Sequence, residues 1–115
     1  MYRQLYVEAA AESPKSARER ERVVLKAAIK KLAIAKIRGA RSPESFEATD
    51  YLRQIWTVFI ADLSNSENAL PESLRAALIS IGLWIRREVE LIDRGESKNF
   101  DGLIEINQII MDGLV

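Results

Sequence analysis

The chain has no cysteine and no histidine in its 115 residues. Without cysteine there is no disulfide and no thiolate nucleophile, which fits a reducing compartment. Without histidine it lacks the commonest general base near neutral pH and the commonest metal ligand. A metal site would have to be built from carboxylates alone, which suits hard cations such as calcium or magnesium. No Asp-x-Asp-x-Asp-Gly loop is present. The Glu-x-x-His pairs of a di-iron bundle cannot exist here. The five glycines (Gly39, Gly82, Gly95, Gly102, Gly113) are scattered, so no glycine-rich phosphate loop is formed. On these grounds the protein is expected not to be an enzyme and to carry no cofactor and no metal.

Long apolar runs are also missing. The longest apolar-rich stretch, Leu78 to Ile85, is far too short to span a bilayer. The N-terminal MYRQLYVEAAAESPK lacks the cationic and apolar regions of a secretory signal. A cytoplasmic location without membrane insertion is the expectation. Nor is the chain poor enough in apolar residues to be disordered, since they make up 48% of it. The length fits one domain, 1–115, with a modest core.

Charge of one sign is absent only in the sum. Residues 1–41 hold 11 Lys/Arg and 4 Asp/Glu, a net of +7, and residues 42–115 hold 6 and 13, a net of −7. A basic first helix packed beside acidic ones explains this. A basic patch for RNA or for an acidic partner surface is the sharper reading. The zero net charge and the lack of any RNA-binding motif or basic–aromatic interleaving weigh against nucleic acid.

What is present is helical periodicity. Ser13-Pro14 and Ser42-Pro43 are start signals, with serine as cap and proline in the first turn. Gly39 and Gly95 sit just past helix ends, Pro71 marks a third loop, and Asn99 is a plausible cap. No strand-like alternation or Asn-Gly hairpin turn occurs. The fold class read from this is all-α, a compact bundle of four helices over about residues 14–38, 43–64, 71–94 and 100–114. The first dozen residues add a possible helical turn, because Tyr2, Leu5, Tyr6 and Ala9 share a face. In the first helix Val24, Leu25, Ala28, Ile29, Leu32 and Ala35 form one arc, opposite Val23, Ala27, Ile34 and Ile37. In the second, Leu52, Ile55, Trp56, Phe59, Ile60 and Leu63 form a clean stripe. The third is apolar over nearly half its circumference (Leu74, Ala77, Leu78, Ile81, Trp84, Ile85, Val89, Leu91, Ile92), with Ile79 and Leu83 on its other side. Such a helix must be buried on more than one side, by its own domain or by a partner.

Two segments, SENALPESLRAALISIGLWIRREVELI (Ser66 to Ile92) and NFDGLIEINQIIMDGL (Asn99 to Leu114), resemble the bacterial flagellar biosynthesis regulator FlaF family. The similarity extends through YRQLYVEAAAESPKSARERE and LRQIWTVFIADL. The resemblance implies a small cytoplasmic helical protein that binds flagellin and regulates its synthesis or export. It also implies the companion regulator FlbT as a partner. The chemistry of the residues favours a helical binding module in which an apolar groove captures an amphipathic helix. RNA binding through the basic first helix, to control flagellin message, is the alternative. Homodimerisation is left open.

The candidate partner-binding residues lie on the last two helices: Ile81, Gly82, Trp84, Ile85, Glu88, Ile104, Asn107, Ile109 and Met111. Gly82 costs a helix about 1 kcal/mol relative to alanine, so it marks either close approach of a neighbouring helix or the floor of a groove. Glu88 falls inside the apolar arc and either reaches water or Arg53, or anchors a partner. Asn107 sits mid-face among Leu103, Ile106, Ile110, Ile104 and Met111, and must find hydrogen bonds either internally or on a partner. Trp56 reads as core. Trp84, at the edge of its arc, reads as interface.

Overall fold

The computed structural model describes residues 14–113, with side chains from residue 17 onward. Four helices account for most of it: α1 (Pro14–Arg38), α2 (Pro43–Ser64), α3 (Glu72–Asp93) and α4 (Phe100–Asp112). The expected bounds hold to within two residues at every helix end. The short N-terminal turn expected around Tyr2 to Ala9, and Leu114, lie outside the described residues.

The helix ends follow from local chemistry. Ser42 Oγ accepts from the Ser45 N–H at 3.1 Å and donates to Gly39 O at 2.7 Å, tying the start of α2 to the end of α1. Gly39 takes φ +96°, a left-handed conformation that costs glycine nothing, and its N–H closes on Ala35 O. Asn99 Oδ1 accepts from the Gly102 N–H at 3.0 Å and caps α4. The start of α3 has no side-chain cap. There the Arg75 side chain instead bonds the carbonyls of Leu63, Asn65 and Leu70, fastening the α2–α3 loop.

Helix α2 is the spine. It packs against α1 on one side and α3 on the other, and α4 packs on α1. The order around the bundle is therefore α3–α2–α1–α4. Among the described residues the fourth side, α3 against α4, has no comparably close backbone approach. The core is the set that periodicity selects: Leu25, Ala28, Leu32 and Ala35 of α1, Leu52, Ile55 and Trp56 of α2, Ile85, Val89 and Ile92 of α3, Phe100 and Leu103 of α4. The opposite face of α1 stays in solvent, as do Leu74, Leu83 and Trp84 of α3.

The α2–α3 contact is set by Gly82, which is buried. A Cβ built there would lie 2.9 Å from Trp56 Cε3 and 2.9 Å from Ile60 Cγ1. At the far end of the pair, Asp93 accepts from Thr49 Oγ1 at 2.6 Å and from Arg53 Nη2 at 2.5 Å. Arg53 therefore serves Asp93, with Glu90 and Asp50 nearby, and does not reach Glu88. Gly82→Ala should destabilise the fold by about 1–3 kcal/mol despite alanine's better helix propensity, because overpacking outweighs it. Urea melts of the two proteins check the sign. A variant as stable as wild type would mean that α2 and α3 can separate at no cost.

Candidate functional site

Helix α4 is only 13 residues long, against 22 for α3. At about 1.5 Å per residue it cannot cover its neighbour. The connection from Arg94 to Asn99 is short, and Ser97 within it bonds back to Glu88 of α3, so α4 starts beside the end of α3. Where the two run side by side, a groove of about 320 Å³ opens between them. Its α3 wall is Ile81 and Trp84, and its α4 wall is Gly102, Ile106 and Ile109, with Glu105 at the rim. Trp84 is 41% exposed and Ile109 58%, so apolar surface here faces solvent. Charge enters only from Glu105, which is exposed.

The nine candidate residues divide sharply. Ile81, Trp84 and Ile109 come together in the groove. Gly82 and Ile85 lie on the core side of α3, where Ile85 is fully buried. Asn107 is also fully buried: its Oδ1 accepts from Trp56 Nε1 at 2.9 Å and its Nδ2 donates to Leu103 O at 2.7 Å. Its hydrogen bonding is thus internal, to an indole and a helix carbonyl. Ile104 and Met111 are half-buried on the opposite flank of α4 and pack against the core. Glu88 is half-buried and accepts from Ser97 Oγ at 2.6 Å, so its carboxylate fastens the α3–α4 connection. The groove's other members, Gly102, Ile106 and Glu105, were not among the nine. Gly102, Ile106 and Ile109 are spaced four and three apart, a signal that was available on the flank of α4 away from Ile104.

A second cavity, about 420 Å³, lies at the other end of the bundle. Its floor includes Trp56, Phe59 and Leu78, and Arg18, Glu21 and Asp62 stand around it. Burial pushes the Glu21 carboxyl above its ordinary value of 4.5, against the pull of Arg18, and Asp62 adds to the rise. Arg18 Nη1 lies 3.5 Å from Glu21 Oε2. Among the described residues no cluster of three or more acidic side chains could hold a metal ion. Nor is any helix there long and apolar enough to cross a membrane.

Two tests follow from these placements. Trp56 is 1% exposed and hydrogen-bonded, so Trp56→Ala should cost about 3–5 kcal/mol of stability. Trp84→Ala should cost less than about 1 kcal/mol, as an exposed side chain away from the core. Parallel thermal melts compare them, and a reversed order would place the groove elsewhere. For Glu21, a folded-state pKa above the unfolded one means stability that is present below about pH 4.5 and is lost as pH rises through the raised value. Glu21→Gln should therefore match wild type in acid and become the more stable protein toward neutrality. Urea midpoints measured across that range check it, and a gap that widens in acid would reverse the assignment.

No curated protein and no solved structure matches the chain significantly. One family model does, described as flagellar protein FlaF, and it matches residues 2–114. That span is essentially the whole sequence, so the chain belongs to the FlaF family of flagellar proteins.

Proposed function

We propose that this protein is a flagellin-binding chaperone and regulator, and that the α3–α4 groove receives an amphipathic helix from a flagellin terminal segment. The observation that carries the reading is the open fourth side of the bundle, where Ile81, Trp84, Ile106 and Ile109 present an almost wholly apolar trough. Membership of a flagellar family supports looking for the partner among flagellar proteins. Terminal segments of flagellin that pack only in the filament would expose apolar faces beforehand. A trough bounded by two rigid helices covers such a face, and tryptophan at its edge is a usual anchor for helix-in-groove binding. Capture in the cytoplasm would keep flagellin from associating early. Coupling the captured state to flagellin synthesis or export, with FlbT as companion, completes the regulatory role. Neither catalysis nor a cofactor has a part in it.

Titration calorimetry with peptides from each end of flagellin tests the reading. One end should bind at about 1:1 with a negative heat-capacity change, since apolar surface is buried. Trp84→Ala should weaken that binding by at least about tenfold, or 1.4 kcal/mol, while the fold persists. Absence of binding by either end at roughly millimolar concentration, about −4 kcal/mol, would sink the proposal.

A further inference from the structure

The basic helix α1 carries a second apolar stripe that the bundle does not use. Val23, Ala27, Lys30, Ile34 and Ile37 follow one another at spacings of four, three, four and three, the repeat of a coiled-coil seam. The stripe lies directly opposite the buried arc of Leu25, Ala28, Leu32 and Ala35, so no other described helix can cover it. Val23 is 64% exposed, Ile34 52% and Ile37 84%. Scattered surface apolar residues need no explanation. Three large ones in heptad register along about 21 Å of one helix form a line that a second helix can follow.

Charge decides what kind of helix. Lys26 and Lys30 are exposed, and neither has an ion-pair partner among the described residues. Lys31 and Arg38 on the other flank already face Glu47 and Glu44. Among the described residues, Glu19, one turn before Val23, is the one carboxylate in line with the stripe. A second copy of this chain is a poor occupant. Lys30 is the midpoint of the stripe, so a symmetric pairing in either direction sets Lys30 against Lys30 with Lys26 close by. Like charges opposed in a seam destabilise it. An RNA strand would answer the lysines but leave Val23, Ile34 and Ile37 without a role, and no aromatic residue lies on the stripe to stack a base.

We infer that the outer face of α1 is a docking site for an amphipathic helix with carboxylates flanking its apolar seam, belonging to a different protein, and that this site works independently of the α3–α4 groove. The groove takes an apolar face with little charge selection. The α1 stripe selects by charge at Lys26 and Lys30 and holds by contact at Val23, Ile34 and Ile37. Two partners can then occupy the protein at once.

The probe is a stapled three-heptad helical peptide with leucine at the seam and glutamate at both flanking positions. Its control carries lysine at the same flanking positions. The full chain should bind the acidic peptide at 1:1 and not the basic one. Ile34→Gln with Ile37→Gln should weaken binding at least tenfold. Lys26→Glu with Lys30→Glu should reverse the preference, so that the basic peptide now binds. These four side chains are exposed, and circular dichroism of each variant confirms that the fold is kept. Trp84→Ala, which removes the groove anchor, should leave acidic-peptide affinity unchanged, so failure of the groove reading and failure of this one are separable. The inference is overturned if the acidic peptide does not bind up to roughly millimolar (about −4 kcal/mol), or if Trp84→Ala abolishes its binding. It is equally overturned if sedimentation finds a dimer that Ile34→Gln dissolves. An RNA oligonucleotide that binds through Lys26 and Lys30, with no loss in the Ile34→Gln and Ile37→Gln variant, would also overturn it.

Discussion

The indole of Trp56 is the point at which α2, α3 and α4 meet. It projects from the middle of α2, packs edge-on against Phe59 with ring centroids 5.3 Å apart, and is almost fully buried. On the α3 side it fills the space that a Cβ at position 82 would need. Toward α4 its N–H finds the acceptor that makes burying it tolerable, Asn107 Oδ1. A buried indole donor left unpaired would cost about 1–3 kcal/mol. Asparagine in an apolar face would be as costly without a partner. Each residue therefore removes the other's penalty, and together they tie α4 to α2, two helices that approach each other less closely than α2 does α1 or α3. The glycine and the asparagine look like local faults on their own helices. Both exist to accommodate one ring.

That arrangement explains why the groove is where it is. Trp56 draws α3 in at Gly82 and α4 in at Asn107, so both helices turn their core faces toward α2 and α1. Their remaining apolar flanks, Ile81 with Trp84 and Ile106 with Ile109, are left facing each other across the open side. Asp93, held by Thr49 and Arg53, keeps the end of α3 against α2. Glu88 with Ser97, and Asn99 as cap, shape the connection that sends α4 back. The walls of the groove are thus rigid helices supported from behind. Pre-organisation of this kind lowers the cost of ordering that binding would otherwise carry.

Charge separation along the chain has a structural counterpart. Several cations of α1 are answered by neighbours within the bundle: Lys31 by Glu47 and the Tyr51 ring, Lys36 by Asp101, Arg38 by Glu44. These pairs are exposed and individually weak. Their effect is to bias which helices lie beside which, with the basic first helix set against acidic first turns of α2 and α4. The plain reading of the +7 and −7 halves accounts for that much of the charge.

The sequence by itself determined the helices and the core. Proline after serine, glycine at helix ends and a period near 3.6 act within a few residues, so the bounds of α1 to α4 and the buried residues Leu25, Leu52 and Trp56 were legible in the sequence, whereas Ile85, read as interface, is fully buried. The excess apolar surface of α3 was legible for the same reason, as was the contrast between a central Trp56 and a peripheral Trp84. Tertiary structure alone decided how each apolar arc is shared out. Periodicity gives the angle of a side chain about its own helix and says nothing of which neighbour meets it. Helical angle already separates Ile104 and Met111 from Ile106 and Ile109; what it cannot give is that the first flank packs on the core and the second faces a groove. It left Asn107 and Gly82 open between interior and interface, because the residue that settles both, Trp56, is 51 and 26 positions away in the chain, respectively. Contacts at that separation depend on how the helices cross, and crossing is a property of the packed bundle.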